Sequence, residues 1–158
     1  MPDPTYRQAT MDDAAAIAAI GALVWDEFGE RSGLPGRMTD DGVRGRLSEW
    51  GAKGAMFVCD AGGGLCGFAA VQPDPSAGSG QAPHPREAVM GVWVAPSARG
   101  KGVGTDLALM ATDFARAAGY QKLRGTIPEG NESALSFFGE IGSLAQMVGQ
   151  GMEYELPL

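Results

Sequence analysis

The sequence is poor in the residues from which metal centres are built. Its 158 residues include two cysteines, Cys59 and Cys66, and one histidine, His84. That is too few for a Cys/His cluster at any usual ligand spacing, so no metal is expected. Positive charge is also scarce: 12 Lys and Arg stand against 19 Asp and Glu, a net charge of −7. Nucleic-acid binding leaves a basic footprint, and this chain has none. No apolar run approaches the ~20 residues that cross a bilayer. The opening MPDPTYRQ has neither the basic start nor the apolar core of a secretory leader. The expectation is a cytoplasmic protein with no membrane or nucleic-acid partner. Two buried thiols are the ordinary state of Cys59 and Cys66 in that compartment. A tight turn at 61–64 would nevertheless set them opposite each other on neighbouring strands. The acidic balance suits a cationic acceptor such as an amine, and equally suits solubility alone.

What is present reads as one domain with a sizeable core, since 44% of residues are hydrophobic and 20% charged. Residues 5–9 predict a short strand. Thr10, with Asp13 three residues on, opens a helix whose Ile17, Ile20, Val24 and Phe28 recur at helical spacing to about Gly29. Gly33, Pro35 and Gly36 make 31–38 a loop. Thr39 caps a second helix with Val43, Leu47 and Trp50 on one face. Strands at 55–60 and 65–72 flank the turn AGGG. Four prolines and two glycines exclude helix and inner strand from 73–86, a long loop that is either a mobile spacer or a substrate-shaping lid.

Residues 87–95 form an almost uninterrupted apolar strand, as when both faces of a sheet are covered. The helix that follows carries Leu107, Met110, Phe114 and Ala118 on one stripe and ends at Gly119. A strand at 122–127 comes next. Asn131 can cap a fourth helix with Ala134, Leu135, Phe138 and Ile141 inward, and 143–148 with 152–156 make a last strand pair. The order β α α β β β α β α β β, with a right-handed parallel crossover over 87–127, predicts an α/β fold. Its sheet is mixed and mostly antiparallel, of six to seven strands, with helices on both faces.

The informative stretch is Arg99-Gly100-Lys101-Gly102-Val103-Gly104, between strand and helix. The first N–H groups of the helix point into this turn at the positive end of the helix dipole. Glycines let the backbone approach an anion, and Arg99 and Lys101 add charge of the right sign. A Walker loop needs Ser or Thr after the lysine, and Gly102 stands there. The dinucleotide fingerprint needs glycine where Thr105 or Leu107 stands. A bound di- or triphosphate of another kind is the expectation, against a plain strand-to-helix connection.

The run Val92-Trp93-Val94-Ala95-Pro96, this turn, and Asn131 with Ala134, Phe137 and Gly142 together resemble the GNAT superfamily of acetyl-CoA-dependent N-acetyltransferases. The turn resembles that family's R/Q-x-x-G-x-G/A signature, and the downstream set resembles its N-x-x-A-x-x-F-Y-x-x-x-G pattern. The resemblance implies the fold just derived and an acetyl-CoA cosubstrate. It also implies a small-molecule amine as acceptor, with a protein N-terminus or lysine as the alternative, and a possible homodimer. Backbone amides of Gly100, Lys101, Gly102, Val103 and Gly104, with Arg99, would hold the pyrophosphate. Val92, Trp93 and Val94 would line the pantetheine arm, with Asn131 and Phe138 beyond. Asn131 reads equally as a helix cap.

Glu87 stands about where many members place a general base; otherwise it is an edge carboxylate facing solvent. His84 has a suitable pKa for the task, but a solvated loop histidine is the plainer reading. A main-chain N–H near Val94 is the candidate oxyanion donor. The family commonly has a Tyr where Phe138 stands, which would protonate the leaving thiolate. Phe138 has no proton to give. The thiolate would then leave unaided, take a proton from Ser136 or Tyr154, or the site would be a non-catalytic acyl-CoA sensor.

Overall fold

The computed structural model describes residues 4–32, 34, 36–73, 87–127, 144–148 and 151–158. The loop expected over 73–86, His84 within it, and the helix expected from Asn131 through Phe138 lie outside the described residues, apart from Pro73.

The chain begins with strand β1 (Thr5–Gln8). The Thr10 N–H donates to the Asp13 carboxylate at 2.8 Å and closes a short 3-10 turn that leads into helix α1 (Ala14–Phe28). Thr39 Oγ1 accepts from the Gly42 N–H at 3.1 Å and starts α2 (Asp40–Trp50). Strands β2 (Ala55–Asp60) and β3 (Leu65–Pro73) form the hairpin read from AGGG. β4 (Glu87–Val94), α3 (Val103–Ala117) and β5 (Lys122–Ile127) make the crossover, and β6 (Leu144–Val148) and β7 (Gly151–Pro157) close the chain.

The seven strands lie in the order β1-β2-β3-β4-β5-β7-β6. All neighbours are antiparallel except β4 and β5. Alternation along the strands sorts the core into two layers. Met56, Val58, Phe68 and Ala70 pack beneath α1 and α2, while Ala55, Phe57, Ala69, Val71, Ala88 and Met90 pack beneath α3.

The line of α3 that lies deepest on the sheet is made largely of small residues. Leu107, Ala108, Ala111 and Ala115 are fully buried, whereas Met110 and Phe114 flank the contact as partly buried residues. Small side chains let the helix approach the sheet closely, and Met110 and Phe114, four residues apart, lie together along one edge of the contact, where the Phe114 ring meets Phe57 at 5.7 Å. Gly67 on β3 completes the fit, since a Cβ there would meet Val103 and Leu107 side chains at 3.2 Å. The buried Thr112 hydroxyl is satisfied by donating to the Ala108 carbonyl at 2.7 Å.

An ion pair ties the first strand down. Arg7 on β1 donates to both oxygens of Asp13, at 2.7 and 2.9 Å, in a bidentate pair. The guanidinium holds the buried Asp13 carboxyl at about 2, against a usual 3.8. A lowered folded-state pKa contributes stability above the unfolded value and loses it as pH falls toward 2. Asp13→Asn is therefore expected to cost about 1–2 kcal/mol at pH 7, allowing for solvent at Arg7. The difference from the parent should vanish near pH 2 in urea melts; an equal cost at both pH values would contradict it.

Candidate active site

The parallel pair at the centre of the sheet comes apart part-way along. β4 and β5 share three registered pairs, Glu87↔Lys122, Ala88↔Leu123 and Val89↔Arg124. β4 continues to Val94 and β5 to Ile127 without further pairing to each other. On its other side β4 stays paired with β3 as far as Val94↔Gly67. The Ala95 N–H donates to the Cys66 carbonyl at 2.8 Å, so Ala95 faces β3. The period of two then turns the N–H and C=O of Val92 and Val94 toward the side from which β5 has departed.

Directly beyond lies the glycine turn. A 3-10 turn at Pro96–Ala98 leads to Arg99 in extended conformation, then Gly100 at φ +78° and Gly102 at φ +83°. A Cβ at either glycine would meet nothing within 4 Å. The glycines are therefore demanded by the left-handed backbone itself. Gly102 caps α3, and its carbonyl accepts the first helical bond from the Asp106 N–H. The N–H groups of Val103, Gly104 and Thr105 have no acceptor among the described residues. Lys101 is exposed at the rim. Unbonded amides, a helix dipole and a cation make a fitting cradle for a pyrophosphate.

Arg99 does more structural duty than its place in the signature implies. One guanidinium nitrogen pairs with Glu27 at 2.6 Å, Nε donates to the Val94 carbonyl at 3.2 Å, and the group lies 5.2 Å above the Phe28 ring. It thus joins the end of α1 and the end of β4 to the turn. Glu27 carries no signal in the sequence, because its partner is 72 residues away.

Trp93 turns away from its two neighbours. Alternation commits its backbone to β3 and puts its side chain on the α1/α2 face. There the indole N–H donates to the Ser32 carbonyl at 2.8 Å, and the ring stacks at 5.1 Å on Phe68. The indole lies over Gly91, where any Cβ would collide with it. Its side chain thus shapes the face opposite to that of Val92 and Val94 and fastens the segment after α1 to β4.

Glu87 stands at the other end of β4. It is not a solvent-facing edge group, since its carboxylate is 21% exposed and lies 3.6 Å from Lys122 Nζ and 3.8 Å from Arg124. Seven residues separate it from Val94, about 23 Å of strand at ~3.3 Å per residue. Asn131, Phe138 and Ser136 lie outside the described residues, and Tyr154 is placed only as part of β7, opposite Gly125. Among the described residues, no group of three His, Cys, Asp or Glu side chains is placed to hold a metal. No described helix is long and apolar enough to cross a membrane.

The model of the GNAT acetyltransferase family matches residues 17–142, which contain the forked strands and the turn. The chain belongs to the GNAT acetyltransferase family. No curated protein matches the sequence. Solved structures share the fold over nearly the whole chain. yncA of Salmonella typhimurium, solved with acetyl-CoA, is 19% identical with a TM-score of 0.82 over 99% of this chain and 95% of its own. A phosphinothricin acetyltransferase from Sinorhizobium meliloti, also with acetyl-CoA, gives 19%, 0.82, 99% and 89%. A ribosomal-protein-alanine N-acetyltransferase from Brucella melitensis gives 20%, 0.81, 98% and 99%. At these identities the structures establish the GNAT fold, and the family match establishes an acetyltransferase.

Reversing the charge at the turn tests the cradle. Arg99→Glu is expected to weaken coenzyme A binding by at least ~1.5 kcal/mol, about tenfold in Kd. It removes a cation and sets two carboxylates against each other at Glu27. Titration calorimetry showing unchanged affinity would make the turn a connector only.

Proposed function

We propose that this GNAT protein is an N-acetyltransferase that moves the acetyl group of acetyl-CoA to the primary amine of a small molecule. The observation that carries the reading is the early end of the β4–β5 ladder. It sets the main-chain groups of Val92 and Val94 beside a turn that has unbonded amides at a helix N-terminus. Backbone N–H groups from Gly100 to Gly104 would hold the pyrophosphate, with Lys101 adding charge. Arg99 would contribute mainly by fixing the turn to Glu27 and Val94. The pantetheine arm would lie along Val94 and Val92 as an added strand; Asn131 and Phe138 remain further contacts in this proposal.

The direction of that arm bears on the catalytic residues. It starts at the turn, so Val94 is the first β4 amide it meets and the acetyl carbonyl lies farther toward Glu87. We assign the Val92 N–H to the oxyanion, in place of Val94, which becomes an arm contact. Glu87, Val89, Gly91 and Trp93 share the α1/α2 face by alternation, and the amine would enter there. Deprotonating an alkylammonium at pH 7 costs roughly 4–5 kcal/mol. Glu87 would receive that proton through intervening water, since the strand keeps it too far from Val92 for direct contact. The amine nitrogen bonds to the carbonyl carbon, charge collects on the oxygen at Val92 N–H, and the C–S bond then breaks. The thiolate, with a pKa near ~8.5, leaves without a tyrosine.

Release of free thiol from acetyl-CoA across a panel of small amines and N-terminal peptides tests the reading. Turnover of small amines is expected. Turnover of peptides alone would make the acceptor a protein terminus, and tight binding with no transfer would make the protein an acyl-CoA sensor. With a substrate in hand, Glu87→Gln is expected to lower kcat about 10²-fold, with KM for acetyl-CoA unchanged. The loss should shrink as pH rises and the amine deprotonates unaided; a pH-independent loss would mean that Glu87 serves only its ion pairs.

A further inference from the structure

The β2–β3 hairpin brings both cysteines of the chain together. Cys59 and Cys66 are free thiols whose Sγ atoms lie 2.6 Å apart, and Cys66 Sγ also lies 3.4 Å from the Cys59 carbonyl. The register slips between Cys59 and Asp60, and this slip puts Cys66 beside Cys59 although Cys59 pairs with Gly67. A disulfide is ~2.05 Å long, so the sulfurs are about half an ångström from bonding distance and need no new backbone path. Cys59 is sealed in the core, while Cys66 is half-buried and is the thiol that a reagent meets first. The hairpin is not remote from the site, because the Cys66 carbonyl holds the Ala95 N–H at the start of the coenzyme turn.

We propose that Cys59 and Cys66 are a redox modification site, closing to a reversible intrachain disulfide when the protein meets hydrogen peroxide. The Cys66 thiolate attacks a peroxide oxygen and the O–O bond breaks. Cys66 becomes a sulfenic acid, and the departing hydroxide takes up the thiol proton as water. The Cys59 sulfur then attacks the Cys66 sulfur, the S–O bond breaks, and a second water leaves with the Cys59 proton. Two thiols lose two hydrogens, and one peroxide is reduced to two waters.

The surroundings set the rate. Burial above all, then the shared proton with Cys59, push the Cys66 thiol up to about 12, with Asp60 adding to the effect. Tyr6, which faces Cys59 from β1, is itself pushed up by burial and by its hydrogen bond to Asp106 on α3, and among the described residues no cation lowers the Cys66 thiol. Closure is therefore slow at neutral pH and accelerates about tenfold per pH unit below that value.

The test is oxidation of the folded protein with hydrogen peroxide at pH 7 and pH 9, followed by denaturation, alkylation and intact-mass measurement. The expected product is a monomer lighter by two hydrogens that takes no alkyl group. It should form faster at pH 9 and return to two alkylatable thiols with dithiothreitol. In Cys59→Ser the reaction is expected to stop at a sulfenic acid on Cys66, trapped by dimedone. Two thiols still alkylatable after oxidation, a sulfinic acid on Cys66 of the parent, or a disulfide-linked dimer would each overturn the proposal. None of these readouts involves acetyl transfer, so they stand apart from the reading of the active site.

Discussion

Two parallel strands in the middle of the sheet hold together over Glu87–Val89 and then stop pairing. Backbone groups of an inner strand cannot be left without partners at small cost; Arg99 takes the Val94 carbonyl, and the Val92 and Val94 N–H groups are left to water or a ligand. A long, flexible molecule carrying amides of its own can replace the missing strand. The rest of the site is arranged around that vacancy in the ladder. α3 follows β4 through the glycine turn and begins with N–H groups that have no acceptor among the described residues. Arg99 fixes the end of α1, the end of β4 and the turn in one cluster. Trp93 fixes the segment after α1 to the opposite face of β4. The period of two also divides the β4 side chains between the α1/α2 face and the α3 face.

Much of this architecture is written locally. The Thr10 and Thr39 caps, the AGGG hairpin and the apolar run at 87–94 each use rules that act over a few residues, and the elements fall where those rules put them. The turn was legible for the same reason, since glycines flanked by cations before an amphipathic helix make a short-range pattern. Features that depend on residues far apart in the chain were not. Glu27 has no distinguishing neighbour in sequence, and its bond to Arg99 exists only once α1 crosses β4. The place of Glu87, between Lys122 and Arg124, needs the parallel register. The expected stripe on α3 does meet the core, with Leu107 fully buried and Met110, Phe114 and Ala118 packed against it, but the pattern of large residues does not show that Ala108, Ala111 and Ala115 lie deepest.

Trp93 shows the same division in one residue. In the motif it stands between Val92 and Val94. Strand alternation sends it to the far side, where it needs Gly91 beneath it and Ser32 before it. Adjacency in a motif is not adjacency in space when the motif runs along a strand.

The alanine line on α3 acts as a spacer of minimum thickness. It sets the height of the helix axis above the sheet, and so the distance from the helix N-terminus to the edge of β4. In the proposed reading the phosphates sit at one of these places and the arm at the other, so that height is a dimension of the site as much as of the core. Added bulk at Ala111 would raise the helix and shift its N-terminus relative to β4 without changing either element. The residues with the least chemistry in the chain thus act as its ruler.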